Sequence, residues 1–274
     1  MKLDDVLPSH CYAHAHHLVA EIALVRDEMG RAADSRPDPE ITGAQPRDCY
    51  FEAIATWRKA DRLADELGVR GVQPAPAMPA LRDLRPGHVL QLIQAVQAQL
   101  DDVKKRLDIT EKAPVPAAEP ARQPSDVLVM LIRANRVLSR LLERPFTPSD
   151  VHHTVALALA YAERLGAGET RAPFERGRKP ADCYRHLQAC LATTKVLSEK
   201  HGNPSLTVHG AVSDALPSDV YDLANLVLGE VAFLHSLTPN AAPMHALEPG
   251  AHGHRLPAHV DQLARTLATR LAAL

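Results

Sequence analysis

The sequence predicts an all-α protein built from eight amphipathic helices. Three observations support this prediction: a short proline motif recurs along the chain, apolar residues follow each copy at helical spacing, and the composition disfavours β-structure. Aromatic residues make up only 4% of the chain, whereas 46% is hydrophobic and 22 residues are proline. Such a composition is typical of Ala- and Leu-rich helices joined by proline-rich connections.

The recurring motif is a proline, any residue, Asp or His, then Val or Cys, often followed by Tyr or Leu. Its eight copies begin at intervals of 24 to 40 residues and read PSHCY, PRDCY, PGHVL, PSDVL, PSDVH, PADCY, PSDVY and PAHVD. Intervals of this size are typical of helical repeats. Proline suits the first helical position, and an acid two residues later interacts favourably with the helix dipole. Each copy therefore predicts the start of a helix.

Apolar or small residues recur 3, 7, 10, 14 and 17 positions after each proline, which is a heptad pattern. In the third copy these residues are Val89, Ile93, Val96, Leu100 and Val103. The eighth copy extends the same stripe to Leu274. The predicted helices span 8–30, 47–68, 87–109, 125–144, 148–166, 181–201, 218–237 and 257–273.

Helices with a heptad stripe pack well as four-helix bundles, so the sequence predicts two tandem bundle-like halves, 1–145 and 146–274. The alternative is one continuous eight-helix array in which the two halves share a core. The short joint 144–147 predicts that the fourth and fifth helices form an antiparallel hairpin, and the other loops leave helix direction open. An extended connection of 12 residues reaches about 40 Å, longer than the roughly 30 Å of a 20-residue helix, so parallel neighbours joined by crossovers are allowed.

Charge and hydropathy limit the classes of partner. Lys and Arg number 31 against 33 acidic residues, so the net charge of −2 makes nucleic acid an unlikely partner. No apolar run approaches the roughly 18 residues needed to cross a bilayer, which argues against a membrane protein. The acidic amino terminus lacks the apolar segment of a secretory signal, so a cytoplasmic location is expected. The four cysteines are expected to be buried, reduced thiols.

The first helix carries the pattern most suggestive of chemistry. His10, His14 and His17 lie on one flank with Glu21, at spacings of one helical turn. Imidazoles one turn apart can chelate Zn²⁺, Ni²⁺ or Cu²⁺, and a carboxylate can add a ligand. We refer to these four residues as the histidine ladder. It predicts a metal site, and the alternative interpretation is a polar helix shoulder with partly exposed histidines.

Two further groups have competing interpretations. Histidines at 245, 252, 254 and 259 form a second cluster that binds metal opportunistically or not at all. Arginines at 133, 136, 140 and 144 line one side of the fourth helix and predict either a solvated face or a docking surface for an acidic protein. The Asp residues of the motif are interpreted as helix-starting groups.

Standard catalytic motifs, including GxSxG, GxxxxGK[ST], GxGxxG, HExxH and CxxC, are absent from the sequence. The first hypothesis is therefore a non-enzymatic helical repeat protein that serves as a scaffold or protein-binding module, with another protein as its partner. The second is a sensor or storage bundle that binds a metal or small ligand through the histidine ladder. An enzyme ranks third, and no cofactor other than Zn, Ni or Cu is expected.

Overall fold

The computed structural model describes residues 2–69, 77–209, 214–239, 241 and 254–274. Its α-helices in this part of the chain are α1 Pro8–Glu28, α2 Pro46–Glu66, α3 Pro86–Arg106, α4 Pro124–Leu141, α5 Pro148–Arg164, α6 Pro180–Lys200, α7 Pro217–Ser236 and α8 Pro257–Leu271. Short 3-10 helices at Leu3–Asp5 and Leu81–Asp83 and two-residue strands β1 Ile41–Thr42 and β2 Thr207–Val208 accompany them. The prediction of an all-α fold is confirmed, and each predicted helix end lies within three residues of the observed one.

All eight of these helices begin at the proline of a motif copy. The third motif residue then accepts a hydrogen bond from the backbone amide of the residue before the proline. Nitrogen-to-acceptor distances are 2.7 to 3.2 Å for His10, Asp48, His88, Asp126, Asp150, Asp182, Asp219 and His259. Because this contact comes from inside the helix, residues with poor capping ability, such as Leu7 and Leu256, can precede the proline.

Contacts divide the chain into two compact units, unit 1 at Met1–Pro145 and unit 2 at Phe146–Leu274. In unit 1, α1 and α2 each pack against both α3 and α4. In unit 2, α5 and α6 each pack against both α7 and α8. Each unit is therefore a four-helix bundle in which spatial neighbours come from different halves of the unit.

The four helices of unit 1 run parallel. Pro8, Pro46, Pro86 and Pro124 line one small recess, so all four amino termini meet at the same end. Two thiols mark this end by donating to backbone carbonyls: Cys11 Sγ lies 3.1 Å from Pro86 O and Cys49 Sγ lies 3.2 Å from Pro124 O.

Unit 2 repeats the arrangement. Pro148, Pro180, Pro217 and Pro257 line an equivalent recess. Cys183 Sγ lies 3.3 Å from Pro257 O, which is the contact that Cys49 makes in unit 1. Parallel helices place like dipole ends together, and the Asp carboxylates of the motif offset part of that positive potential. The connections within each unit must return along the length of the bundle, which explains why they are long.

The heptad stripes form the cores. All five stripe residues of α3 are buried, with exposures of 1% or less, and the smaller stripe residues Cys49 and Cys183 are equally buried. The prediction fails at Leu274, which is 38% exposed because α8 ends at Leu271. The first turn of α3 requires its glycine: a Cβ on Gly87 would meet the Leu3 carbonyl oxygen at 2.5 Å.

Candidate functional site

The histidine ladder is divided among different structural roles. His10 occupies a capping position, where its Nδ1 accepts the backbone amide of Leu7 at 3.0 Å. Glu21 is 5% exposed and pairs with Lys104 of α3 in the interior of unit 1. Its other oxygen accepts the backbone amide of Ala113 at 2.6 Å. Two of the four predicted ligands therefore already have partners.

The two central histidines of the ladder differ from these. The Nδ1 atoms of His14 and His17 are buried and have no hydrogen-bond partner among the described residues. Burial lowers the pKa of His14, which favours the neutral imidazole that metals require. Within the described ranges, no three His, Cys, Asp or Glu side chains surround a point suited to a metal ion. The ladder stays a prediction, and a complete site would require His10 and Glu21 to exchange partners.

The second histidine cluster lies partly outside the described residues, because His245 and His252 belong to the segment 242–253. His259 caps α8 by accepting the Leu256 amide at 3.0 Å, and its ring lies 5.0 Å from that of Phe174. His259 therefore has a structural role, through its contacts with the Leu256 amide and the Phe174 ring.

The described thiols are not activated. Burial raises the pKa of Cys11, Cys183 and Cys190 to about 12 in each case. Cys183 lies one turn before His186, whose Nε2 is 3.5 Å from the buried Asp261, so a cysteine, a histidine and an aspartate come together in unit 2. The raised pKa of the thiol argues against a nucleophilic role for this group.

Two segments of unit 1 are held by the arginines of α4 and by Arg144. The prediction that all four arginines lie on the fourth helix is wrong for Arg144, because α4 ends at Leu141. Arg144 Nη2 lies 2.6 Å from Asp65 Oδ2, near the carboxyl end of α2. Arg133 Nε donates to Asp38 Oδ1 at 3.2 Å, and its Nη2 contacts the second oxygen of the same carboxylate. Arg136 Nη1 donates to the carbonyl of Pro37 at 2.8 Å. Arg133 and Arg136, on successive turns of α4, therefore hold the connection between α1 and α2.

An open cleft of about 390 Å³ lies between α1, α4 and the connection 29–45. We call it the arginine cleft. Its lining contains four guanidinium groups and two carboxylates, those of Arg26, Arg36, Arg133, Arg136, Asp34 and Asp38. The rest of the lining is apolar, including Val19 and Val137, except for Ser35. The volume is within the range of small-ligand sites, roughly 300 to 1,000 Å³.

Most charges in the cleft are paired. Arg36 Nε and Nη2 each lie 3.0 Å from an oxygen of Asp34, and Arg26 Nη2 lies 2.6 Å from Asp27. Arg136 differs, because no carboxylate of the described residues lies within ion-pairing distance of its guanidinium. The cleft therefore contains a cation whose only described hydrogen-bond acceptor is a backbone carbonyl.

The two aspartates of the cleft differ in exposure. Asp34 is half-buried as a residue, and only 7% of its side chain is exposed. Burial alone would raise the pKa of Asp34, but hydrogen bonds from Arg36 outweigh that effect and hold the pKa below its usual range. Asp38 is 35% exposed, and its hydrogen bond raises the pKa of Arg133. The Asp34 carboxyl is therefore ionised at neutral pH.

Sequence reasoning identified the arginines of the cleft on α4 but missed Asp34, Asp38, Arg26 and Arg36. The only local signal is the charged, proline-flanked segment around Asp38, which also fits an ordinary exposed loop.

No helix in the described ranges has the length and apolar character needed to span a membrane.

The chain was compared with models of known families, with curated proteins and with solved structures, and none of them matches. The site must therefore be interpreted from its own geometry.

Proposed function

We propose that the protein is a non-enzymatic helical scaffold that binds a partner protein, and that the arginine cleft of unit 1 is its docking site. The observation that carries this proposal is the Arg136 guanidinium, a cation at an open cleft that no described carboxylate neutralises. Arginine is well suited to binding carboxylates through its planar, fork-shaped set of donors. The proposed partner therefore presents an acidic surface.

The charge of the cleft favours a protein partner over a nucleic acid. Binding to nucleic acid requires several cations that each neutralise a phosphate. Here three of the four lining guanidinium groups already have carboxylate partners, and the chain as a whole carries a charge of −2. One guanidinium without a described carboxylate partner suits a single acidic side chain better than the several charges of a phosphate backbone.

Purification of the tagged protein from its own host, followed by native mass spectrometry, tests the proposal. We expect a bound protein with the wild type and its loss with Arg136→Gln. Arg106→Gln is the matched control, because Arg106 is an exposed arginine of α3 outside the cleft. A retained small molecule or metal without a protein would contradict the scaffold and favour the second candidate.

The second candidate is a metal-binding bundle that uses the histidine ladder with Zn²⁺, Ni²⁺ or Cu²⁺. One observation favours it: His14 and His17 lie one turn apart with buried Nδ1 atoms that have no described partner. Glu21 counts against it, because binding a metal there would leave the Lys104 ammonium buried without its counter-charge.

A further inference from the structure

We propose that Asp38 occupies the anion-binding position of the arginine cleft as a tethered competitor, and that the partner protein inserts an aspartate or glutamate carboxylate in its place. The inference rests on the proposed function, since it names the chemistry by which the cleft recognises its partner.

Asp38 contacts Arg133 in the geometry that a bound carboxylate ligand would adopt. Both oxygens of the Asp38 carboxylate contact the same guanidinium, through Nε and Nη2. This two-point geometry is the one by which arginine recognises carboxylates in general. A glutamate or aspartate from another molecule would make the same two contacts with Arg133.

Exposure separates Asp38 from the other carboxylate of the cleft. The side chains of Asp38 and Arg133 are 35% and 42% exposed, whereas that of Asp34 is only 7% exposed. Ion pairs open to water contribute little to stability, and their partners exchange readily. The more enclosed pair of Asp34 and Arg36 therefore serves the fold, and the exposed pair can open without unfolding the connection.

Once Asp38 leaves, two cations of α4 become available together. Arg133 and Arg136 are three residues apart, so their side chains emerge from the same face of the helix. Arg136 remains anchored to the Pro37 carbonyl through Nη1 alone, which leaves its other donors for a ligand. The cleft then presents paired guanidinium groups beside an apolar lining.

A tethered competitor lowers apparent affinity in a predictable way. The apparent Kd equals the intrinsic Kd divided by the fraction of molecules in which Asp38 is displaced. Removing the Asp38 charge should therefore strengthen binding of an acidic ligand, whereas removing a purely structural aspartate should weaken binding or leave it unchanged.

Calorimetric titration of the full chain with acetyl-triglutamate amide, at low ionic strength, tests the inference. We expect Asp38→Asn to tighten binding at least about fivefold, by removing the competitor. Asp38→Glu should keep the wild-type affinity within about twofold, because the tethered carboxylate is retained. Arg136→Gln should weaken binding about tenfold or more, and Arg106→Gln should have no effect.

Glu40→Gln controls for the general effect of removing a negative charge near the cleft. Glu40 is exposed, lies two residues from Asp38 on the same connection and does not line the cleft. A gain in affinity equal to that of Asp38→Asn would show a long-range charge effect and overturn the competitor. Circular dichroism melts of each variant confirm that the helices remain folded.

Two further probes identify the source of the anion. Acetyl-triglutamine amide should not bind, and inorganic phosphate should bind more weakly than the triglutamate peptide. Tighter binding of phosphate would mean that the cleft takes a free anion and would overturn the inference. If Asp38→Asn weakens peptide binding while Arg136→Gln still abolishes capture of the host partner, the competitor is wrong and the proposed function stands. If no probe binds and capture survives Arg136→Gln, both are wrong at this cleft.

Discussion

The Lys104 ammonium and the Glu21 carboxylate form an ion pair in the interior of unit 1, where their side chains are only 4% and 7% exposed. At the same positions after the motif prolines, unit 2 has His235 and Tyr161, whose rings lie 5.3 Å apart. The first and third helices of each bundle therefore meet at equivalent positions, through an ion pair in unit 1 and through two aromatic rings in unit 2.

Breaking this ion pair should be costly. We expect Glu21→Gln to lower the free energy of unfolding by about 3 to 5 kcal/mol, because it leaves the Lys104 ammonium buried without a counter-charge. Replacing both residues with Met should recover most of that loss, since a packed apolar pair avoids the desolvation penalty. Urea denaturation of the three proteins measures the difference, and Lys105→Met, at an exposed pair, should leave the midpoint unchanged.

The motif aspartates should stabilise helix starts in a pH-dependent way. The Lys179 backbone amide, at 2.9 Å, lowers the pKa of Asp182 below its usual value. A lowered pKa in the folded state means that the stabilisation is present above the unfolded pKa, about 3.9, and disappears as the pH falls through the folded pKa. Asp182→Asn, which keeps an acceptor oxygen but removes the charge, should cost about 0.3 to 1 kcal/mol at pH 7. Thermal melts should show the two proteins converging as the pH falls through the folded pKa of Asp182.

The cysteines should be unreactive until the protein unfolds. A thiol with a pKa of about 12, as in Cys11, Cys183 and Cys190, holds almost no thiolate at pH 8. We expect Ellman's reagent to react slowly with the native protein and to titrate four thiols in denaturant. Rapid reaction of one thiol in the native protein would show that its surroundings are open to solvent.

Substitution of His14, a central residue of the histidine ladder, tests whether the ladder binds metal. We expect His14→Ala to remove Zn²⁺ and Ni²⁺ binding at the ladder and His259→Ala, a capping residue elsewhere, to leave it intact. Affinity should fall at acidic pH, because protonated imidazole cannot bind a metal, and the lowered pKa of His14 delays the loss of this ligand to a pH below the usual histidine value of about 6.5. Calorimetric titration decides the matter: equal affinities for wild type and His14→Ala, or only millimolar binding, would rule out the ladder.

Local features could be predicted from the sequence because they depend on spacing along the chain. The motif prolines start the helices, and the stripe containing Val89 and Ile93 is buried. Helix direction could not be predicted, since connections of this length allow parallel and antiparallel neighbours alike.

The candidate site could not be predicted in full, because it is formed by contacts between residues that are far apart in the sequence. Arg133 was visible as one of a row of arginines, but its partner Asp38 lies 95 residues away. Glu21 matched a metal ligand by its spacing from three histidines, yet its partner Lys104 is 83 residues away. Spacing along one helix indicates which side chains share a flank, and only the fold determines what that flank meets.

The parallel arrangement of each bundle has a consequence for how the protein is made. Residues that touch at the proline ends, such as Cys11 and Pro86 or Cys183 and Pro257, are 75 and 74 positions apart. Because α1 and α2 both pack on α3 and α4, their apolar stripes lack those packing partners until the second half of the unit leaves the ribosome. High sequence separation of contacts slows folding, and exposed nascent stripes attract chaperones or aggregate. Helix content alone would place this protein among fast folders, whereas its connectivity places it among slower ones.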